Sequence, residues 1–206
     1  MGVRLPAAER KEAILAASMA LFARHGFAGV TTRAIARAAG VSEAILYRHF
    51  PGKESLYRAI VSRNLEQVEA AMPVRLLAES DAPPREYFRR IARTMLARID
   101  ADPTLLRLLF HGALEDHPLA QAFEEARGAR VRRAIERYLR RQARRGAVRR
   151  ADYEVAARSF VWLVVGFGLA RVLFREPGIL RVSVDRLASR LTDQFLLGLE
   201  PAGRRA

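Results

Sequence analysis

Between Ala38 and Phe50 the chain reads AAGVSEAILYRHF, and its small, polar and aromatic residues recur at a spacing suited to contacting a polyanion. If Leu46 and Phe50 sit one turn apart with Ser42 above them on an inward face, Ala44 and Arg48 point outward, with Ile45 and Tyr47 on the flanks. A helix entering a major groove about 12 Å wide needs slim residues at its leading end and then groups that reach phosphates and base edges. Ser42, Glu43, Ala44, Tyr47, Arg48 and His49 suit that geometry. Other chemistry has less to stand on. His111, Glu115, Asp116 and His117 invite a metal reading, but their spacing matches no ligand pattern and Pro118 breaks the chain beside them. There is no Gly-rich phosphate loop and no nucleophile-base-acid arrangement. No metal, cofactor or enzymatic activity is expected.

Short helices must position these groups. A first helix is expected from about Ala8 to His25, with Ile14, Ser18, Leu21 and Phe22 on one face and Gly26 as its left-handed cap. Thr31 and Thr32 can cap a second, with Ile35 and Ala38 or Ala39 turned inward and Gly40 ending it. Ser42 caps the third, Pro51-Gly52 closes it, and Lys53-Glu54 opens a fourth that runs toward Ala71. The stop at Gly40-Val41 tilts the third helix away from its support.

Beyond Met72-Pro73 and Ser80 to Pro84, which read as linker, further helices are expected near Arg85 to Asp100, Thr104 to Leu114, Pro118 to Arg145, Tyr153 to Phe174 and Val182 to Gly198. No segment alternates with period two, so the fold class is all-α. The 206 residues, half of them hydrophobic, suffice for a substantial core.

The formal net charge of +14 would attract a polyanion. Lysine occurs only at Lys11 and Lys53, so local placement says more than the total. Ala126 to Arg150 holds eleven arginines against one acid, Glu136. Its sharp readings are a nucleic-acid surface or a membrane-facing helix, which would make the chain a basic structural protein. Its apolar stripe of Val131, Ile135, Tyr138 and Leu139 points instead to a helix packed on one side and solvated on the other. The chain lacks cysteine, its N-terminus turns charged early, and its longest apolar run, Ser159 to Ala170, is shorter than the ~18 residues of a membrane span. A soluble cytoplasmic protein with no membrane partner is expected.

The stretch TTRAIARAAGVSEAILYRHFPGKESLYRAI resembles the DNA-binding region of the TetR family of transcriptional regulators. The matching features are Gly26-Phe27, Thr31-Thr32, Ile35-Ala36, Ala39-Gly40-Val41-Ser42, Leu46 to Phe50, and Lys53-Glu54 with Leu56. The resemblance implies a DNA-binding domain over 8–68, with a three-helix helix-turn-helix core, and a C-terminal ligand-binding and dimerisation bundle over 69–200. It implies phosphate contacts from Thr32, Tyr47, His49 and Lys53, and base contacts from Arg33, Ser42, Glu43, Ala44 and Ile45. Arg33 would pair bidentately with guanine, and Ile45 would meet a thymine methyl. Many members carry lysine, glycine and threonine where this chain has Glu43, Ala44 and Ile45. Glu43 would repel phosphate unless it accepts from a cytosine amino group.

One such unit reads few base pairs, so useful specificity needs two copies about one helical turn apart, which calls for a homodimer on a palindromic operator. The last two helices resemble the family's dimerising pair; Gly166 and Gly168 would allow close backbone approach, and Phe195, Leu196 and Leu199 would supply apolar area. The resemblance also implies a repressor released by a small molecule. Phe88, Met95, Phe110, Phe123, Trp162 and Phe167 are candidate pocket residues, and their apolar character suggests a hydrophobic effector.

Overall fold

The protein, described here as a computed structural model over residues 6–201, is helical throughout, with no strand among the described residues. Its helices are α1 (Ala7–His25), α2 (Thr32–Ala38), α3 (Glu43–His49), α4 (Lys53–Ala71), α5 (Val74–Glu79), α6 (Pro84–Ala101), α7 (Thr104–Leu114), α8 (Pro118–Phe123), α9 (Ala129–Arg144), α10 (Tyr153–Val172), α11 (Pro177–Leu180) and α12 (Val184–Leu197). A π-helical turn, Glu124–Gly128, joins α8 to α9.

Packing divides the chain into two compact units. The first comprises residues up to 67 together with 104–124, and the second comprises 68–103 with residues from 125 onward. The first unit's core gathers Ile14, Phe22, Ile35, Leu46, Leu56, Tyr57, Ile60 and Leu108. Phe22, Phe27 and Tyr57 form an aromatic triangle with all three centroid separations at 5.5 Å. Tyr57 donates to the carbonyl of Leu108 at 3.2 Å, fastening α4 to α7. Burial pushes the Tyr57 phenol up to about 12, with the Glu115 and Glu54 carboxylates adding to the shift.

The second unit packs α6 against α10 and α12, and α9 against α5 and α10. Tyr87 stacks on Tyr138 with ring centroids 3.6 Å apart. Phe88 meets Phe160 and Phe195 at 4.6 and 4.9 Å. Gly168 faces Ile99, whose side chain would lie 2.7 Å from an added Cβ, so this glycine serves close approach of α10 to α6 within the protomer. Gly166 lies on the opposite, open side.

Several expectations need correction. Between the linker-like Met72-Pro73 and Ser80 to Pro84 lies a helix that was not expected, α5, which buries Val74 and Leu77. The Pro118 to Arg145 helix is interrupted by the π turn, and α11 lies between the last two expected helices, where none was expected. In α2 Ala36 joins Ile35 in the core; of the two alanines expected to face inward as alternatives, Ala38 is exposed and Ala39 packs on that core. α10 extends beyond the Ser159 to Ala170 run and is long and apolar enough to cross a membrane by length and composition. The arginines on either side of that run belong to side-chain pairs: Arg158 with Glu154 at 3.1 Å, and buried Arg171 with Asp100 at 3.0 Å.

α9 buries Val131, Ala134, Ile135, Tyr138 and Leu139 and exposes Arg130, Arg133, Arg137, Arg140 and Arg144. Arg127 departs from the solvated set. It is 4% exposed, paired with Glu69, and donates to the carbonyls of Val68 and Met72.

Candidate nucleic-acid interface

The turn between α2 and α3 is built from local backbone chemistry. Thr31 Oγ1 accepts from the N–H of Ala34 at 3.1 Å, satisfying a donor that the first turn of α2 leaves without a helical partner. At the other end Gly40 has φ +67, Val41 N–H reaches the carbonyl of Ala36 at 3.0 Å, and Gly40 N–H reaches that of Arg37 at 3.2 Å. This pair of bonds is a Schellman motif, whose left-handed residue favours glycine. Ser42 Oγ then accepts from Ile45 N–H at 3.3 Å and starts α3.

Leu46 and Phe50 anchor α3 in the first unit's core, while Ser42, Ala44, Tyr47 and Arg48 are exposed and Glu43, Ile45 and His49 are half-buried. The slender leading edge therefore faces solvent, as its spacing predicts. Because Thr31 does the capping, Thr32 Oγ1 is free to meet Tyr47 Oη at 3.1 Å. Tyr47 is 49% exposed. Arg33 is exposed on α2, beside Thr32 in the chain.

Lys53 is placed differently from a freely solvated lysine. Its Nζ donates to the carbonyl of Phe27 at 3.0 Å and lies 4.5 Å from the centroid of that ring. An ammonium carries three donors, so two remain for an anion. The Phe27 partnership was not legible from side-chain patterns, because its acceptor is a backbone carbonyl 26 residues away.

The six candidate pocket residues are divided between the two units. Phe88, Met95 and Phe167 belong to the second unit's core or pack on it. Phe123 packs on the first unit's core, and Phe110 is half-buried in that unit's α7. Trp162, 53% exposed, stands on the outer side of α10. Phe195 and Leu199 turn inward, while Leu197 is the exposed apolar residue at the end of α12.

This geometry has relatives. Residues 14–60 match the family model described as bacterial regulatory proteins, tetR family, and residues 86–197 match that of the AefR-like transcriptional repressor, C-terminal domain. The nucleoid occlusion factor SlmA of Marinobacter nauticus is 32% identical over 152 residues, covering 70% of this chain and 77% of that protein. The HTH-type transcriptional activator FasR of Mycolicibacterium smegmatis is 30% identical over 121 residues, covering 59% of this chain and 54% of FasR, about half its length. Among solved structures, AibR in complex with isovaleryl coenzyme A and operator DNA has the same fold, with a TM-score of 0.71 at 23% identity, covering 90% of this chain and 97% of that one. The chain belongs to the TetR family of DNA-binding transcriptional regulators.

Proposed function

We propose that the protein is a homodimeric repressor that binds a palindromic operator and is released by a small, largely apolar effector. The observation that carries the DNA-reading part is the exposed edge of α3. Ser42, Ala44 and Tyr47 stand clear of the core, and the Tyr47 and Thr32 hydroxyls already lie at hydrogen-bonding distance. Thr32, Tyr47, His49 and Lys53 hold phosphates and set the register, whereas Arg33, Ser42, Glu43, Ala44 and Ile45 address base edges.

Dimerisation follows from α10. Val155, Ser159, Trp162 and Gly166 form an exposed stripe at helical spacing, opposite the buried Ala157, Phe160, Val164 and Gly168. A second copy's α10 and α12 would cover this stripe and place two reading heads on one duplex. Repression is favoured by the match of 86–197 to a repressor's C-terminal domain, although FasR is named an activator. For the effector, the aromatic core around Phe88, Met95 and Phe167 supplies an apolar environment, and AibR is a fold relative solved with an acyl coenzyme A.

Selection of bound fragments from random duplex provides the test. Enriched fragments should carry two inverted half-sites about one helical turn apart, and Arg33→Ala should relax preference at a single position in each half. Equal affinity for selected and random duplex would defeat the proposal.

A further inference from the structure

The turn between α7 and α8 carries Glu115, Asp116 and His117, three of the residues that suggest a metal cluster in the sequence. Glu115 and His117 are engaged otherwise. Asp116 adopts φ +51, and His117 N–H bonds to the carbonyl of Gly112 at 2.8 Å, which closes α7. His117 Nδ1 accepts from Leu119 N–H at 3.2 Å, and its ring packs edge-on to Phe27 at 4.4 Å and stacks on Tyr57 at 4.5 Å.

Glu115 Oε2 accepts from Phe27 N–H at 2.8 Å and from Ala28 N–H at 3.4 Å. The second of these donors, Ala28 N–H, belongs to the Phe27–Ala28 peptide, whose carbonyl accepts from Lys53 Nζ at 3.0 Å. A trans peptide points its N–H and C=O in opposite directions, so this one lies between a carboxylate on its donor side and an ammonium on its acceptor side. Both charges polarise this peptide in the same sense, Glu115 through the longer 3.4 Å contact, while its 2.8 Å bond to Phe27 N–H fixes the preceding Gly26–Phe27 peptide. Gly26 keeps the seat open, because a Cβ there would lie 2.0 Å from Glu115 Oε1.

We propose that Glu115 is a positioning residue for DNA binding: through the Phe27–Ala28 peptide it holds Lys53 in the posture that presents its two remaining donors to a phosphate. The α7–α8 turn falls within the segment matching the family's C-terminal domain, yet packs in the same unit as α3. The inference rests on the reading of Lys53 as a phosphate contact.

The experiment uses the full chain and four variants, Glu115→Ala, Glu115→Gln, Lys53→Ala and Glu115→Ala with Lys53→Ala. Affinities for the selected operator and for random duplex are measured across a salt series, below each variant's melting temperature. Lys53→Ala should weaken both duplexes and lower the salt slope by about one. Glu115→Ala should weaken both several-fold and move the slope toward that of Lys53→Ala, with Glu115→Gln falling between because it keeps an acceptor oxygen and loses the charge. In the Lys53→Ala background, Glu115→Ala should have no further effect, which a general loss of packing would not produce. An unchanged affinity in Glu115→Ala, or the same fold-loss with and without Lys53, overturns the proposal while leaving Lys53 as a phosphate contact. Unchanged affinity in Lys53→Ala overturns the phosphate reading and this inference with it.

Discussion

Gly26 and Gly40 share a left-handed φ, +73 and +67, but differ in what surrounds them. Nothing lies within 4 Å of a Cβ at Gly40, whereas one at Gly26 would displace Glu115. Gly40→Ala should therefore cost only the left-handed strain of an L-residue, ~1 kcal/mol. Gly26→Ala should cost more than that in the backbone, because φ +73 with ψ 174 is a glycine-only conformation, plus the charge-assisted bond to Phe27 N–H, about 1 kcal/mol for so exposed a carboxylate. Urea unfolding of the two variants measures the difference, and equal losses would show that the Glu115 contact contributes nothing to stability. Both glycines were legible in the sequence as helix stops, because the turn requirement is local. Their unequal cost was not, since Glu115 is 88 residues from Phe27 and approaches it only in the folded unit.

At the scale of elements, periodicity carried the reading where one face of a helix meets a core and failed where short segments depend on tertiary partners. α7 was expected at Thr104 to Leu114 and is found there. The short α5 and α11 carry too few residues to show a period, and their helicity comes from packing and from their neighbours. Arg127 was misplaced among the solvated arginines, although it lies four residues before buried Val131, in the π turn that leads into α9; the count of arginines obscured its phase. A second buried arginine joins three elements. Arg171 of α10 grips Asp100 of α6 through Nε and Nη2 at 3.1 and 3.0 Å, and its Nη1 donates to the carbonyls of Ile179 and Val182 at 2.8 Å each. Removing the carboxylate leaves a buried guanidinium without its counter-charge. Asp100→Ala should destabilise the second unit by ~2 kcal/mol, below the full cost of a broken buried pair because the Asp100 side chain is 38% exposed. Chemical denaturation followed by circular dichroism measures it, and a loss under about 0.5 kcal/mol would reduce the pair to a surface contact.

For the whole molecule, the decisive feature is that α10 is apolar around its circumference while only 28% of its apolar stretch is buried in the protomer. Its inner stripe meets α6, α9 and α12, but its outer stripe, with Trp162 53% exposed at the centre, faces solvent among the described residues. By length and composition such a helix would pass for a membrane span, and a DNA-binding protein has a better use for it. Gly166, with open space around it, lets a second backbone come close, and Trp162 one turn earlier provides the large ring that an interface centre favours. Trp162→Arg places a charge at that centre without disturbing the protomer's core, since the side chain is already half exposed. The expected result is a halved mass by light scattering, with the melting of the isolated protomer little changed. Binding to a duplex carrying both half-sites should fall by roughly a hundredfold, because the second head no longer engages at high effective concentration, while binding to one half-site stays the same. If the variant keeps its dimeric mass, the interface lies elsewhere. If the mass halves and the two-half-site affinity does not fall, operator reading does not require the pair.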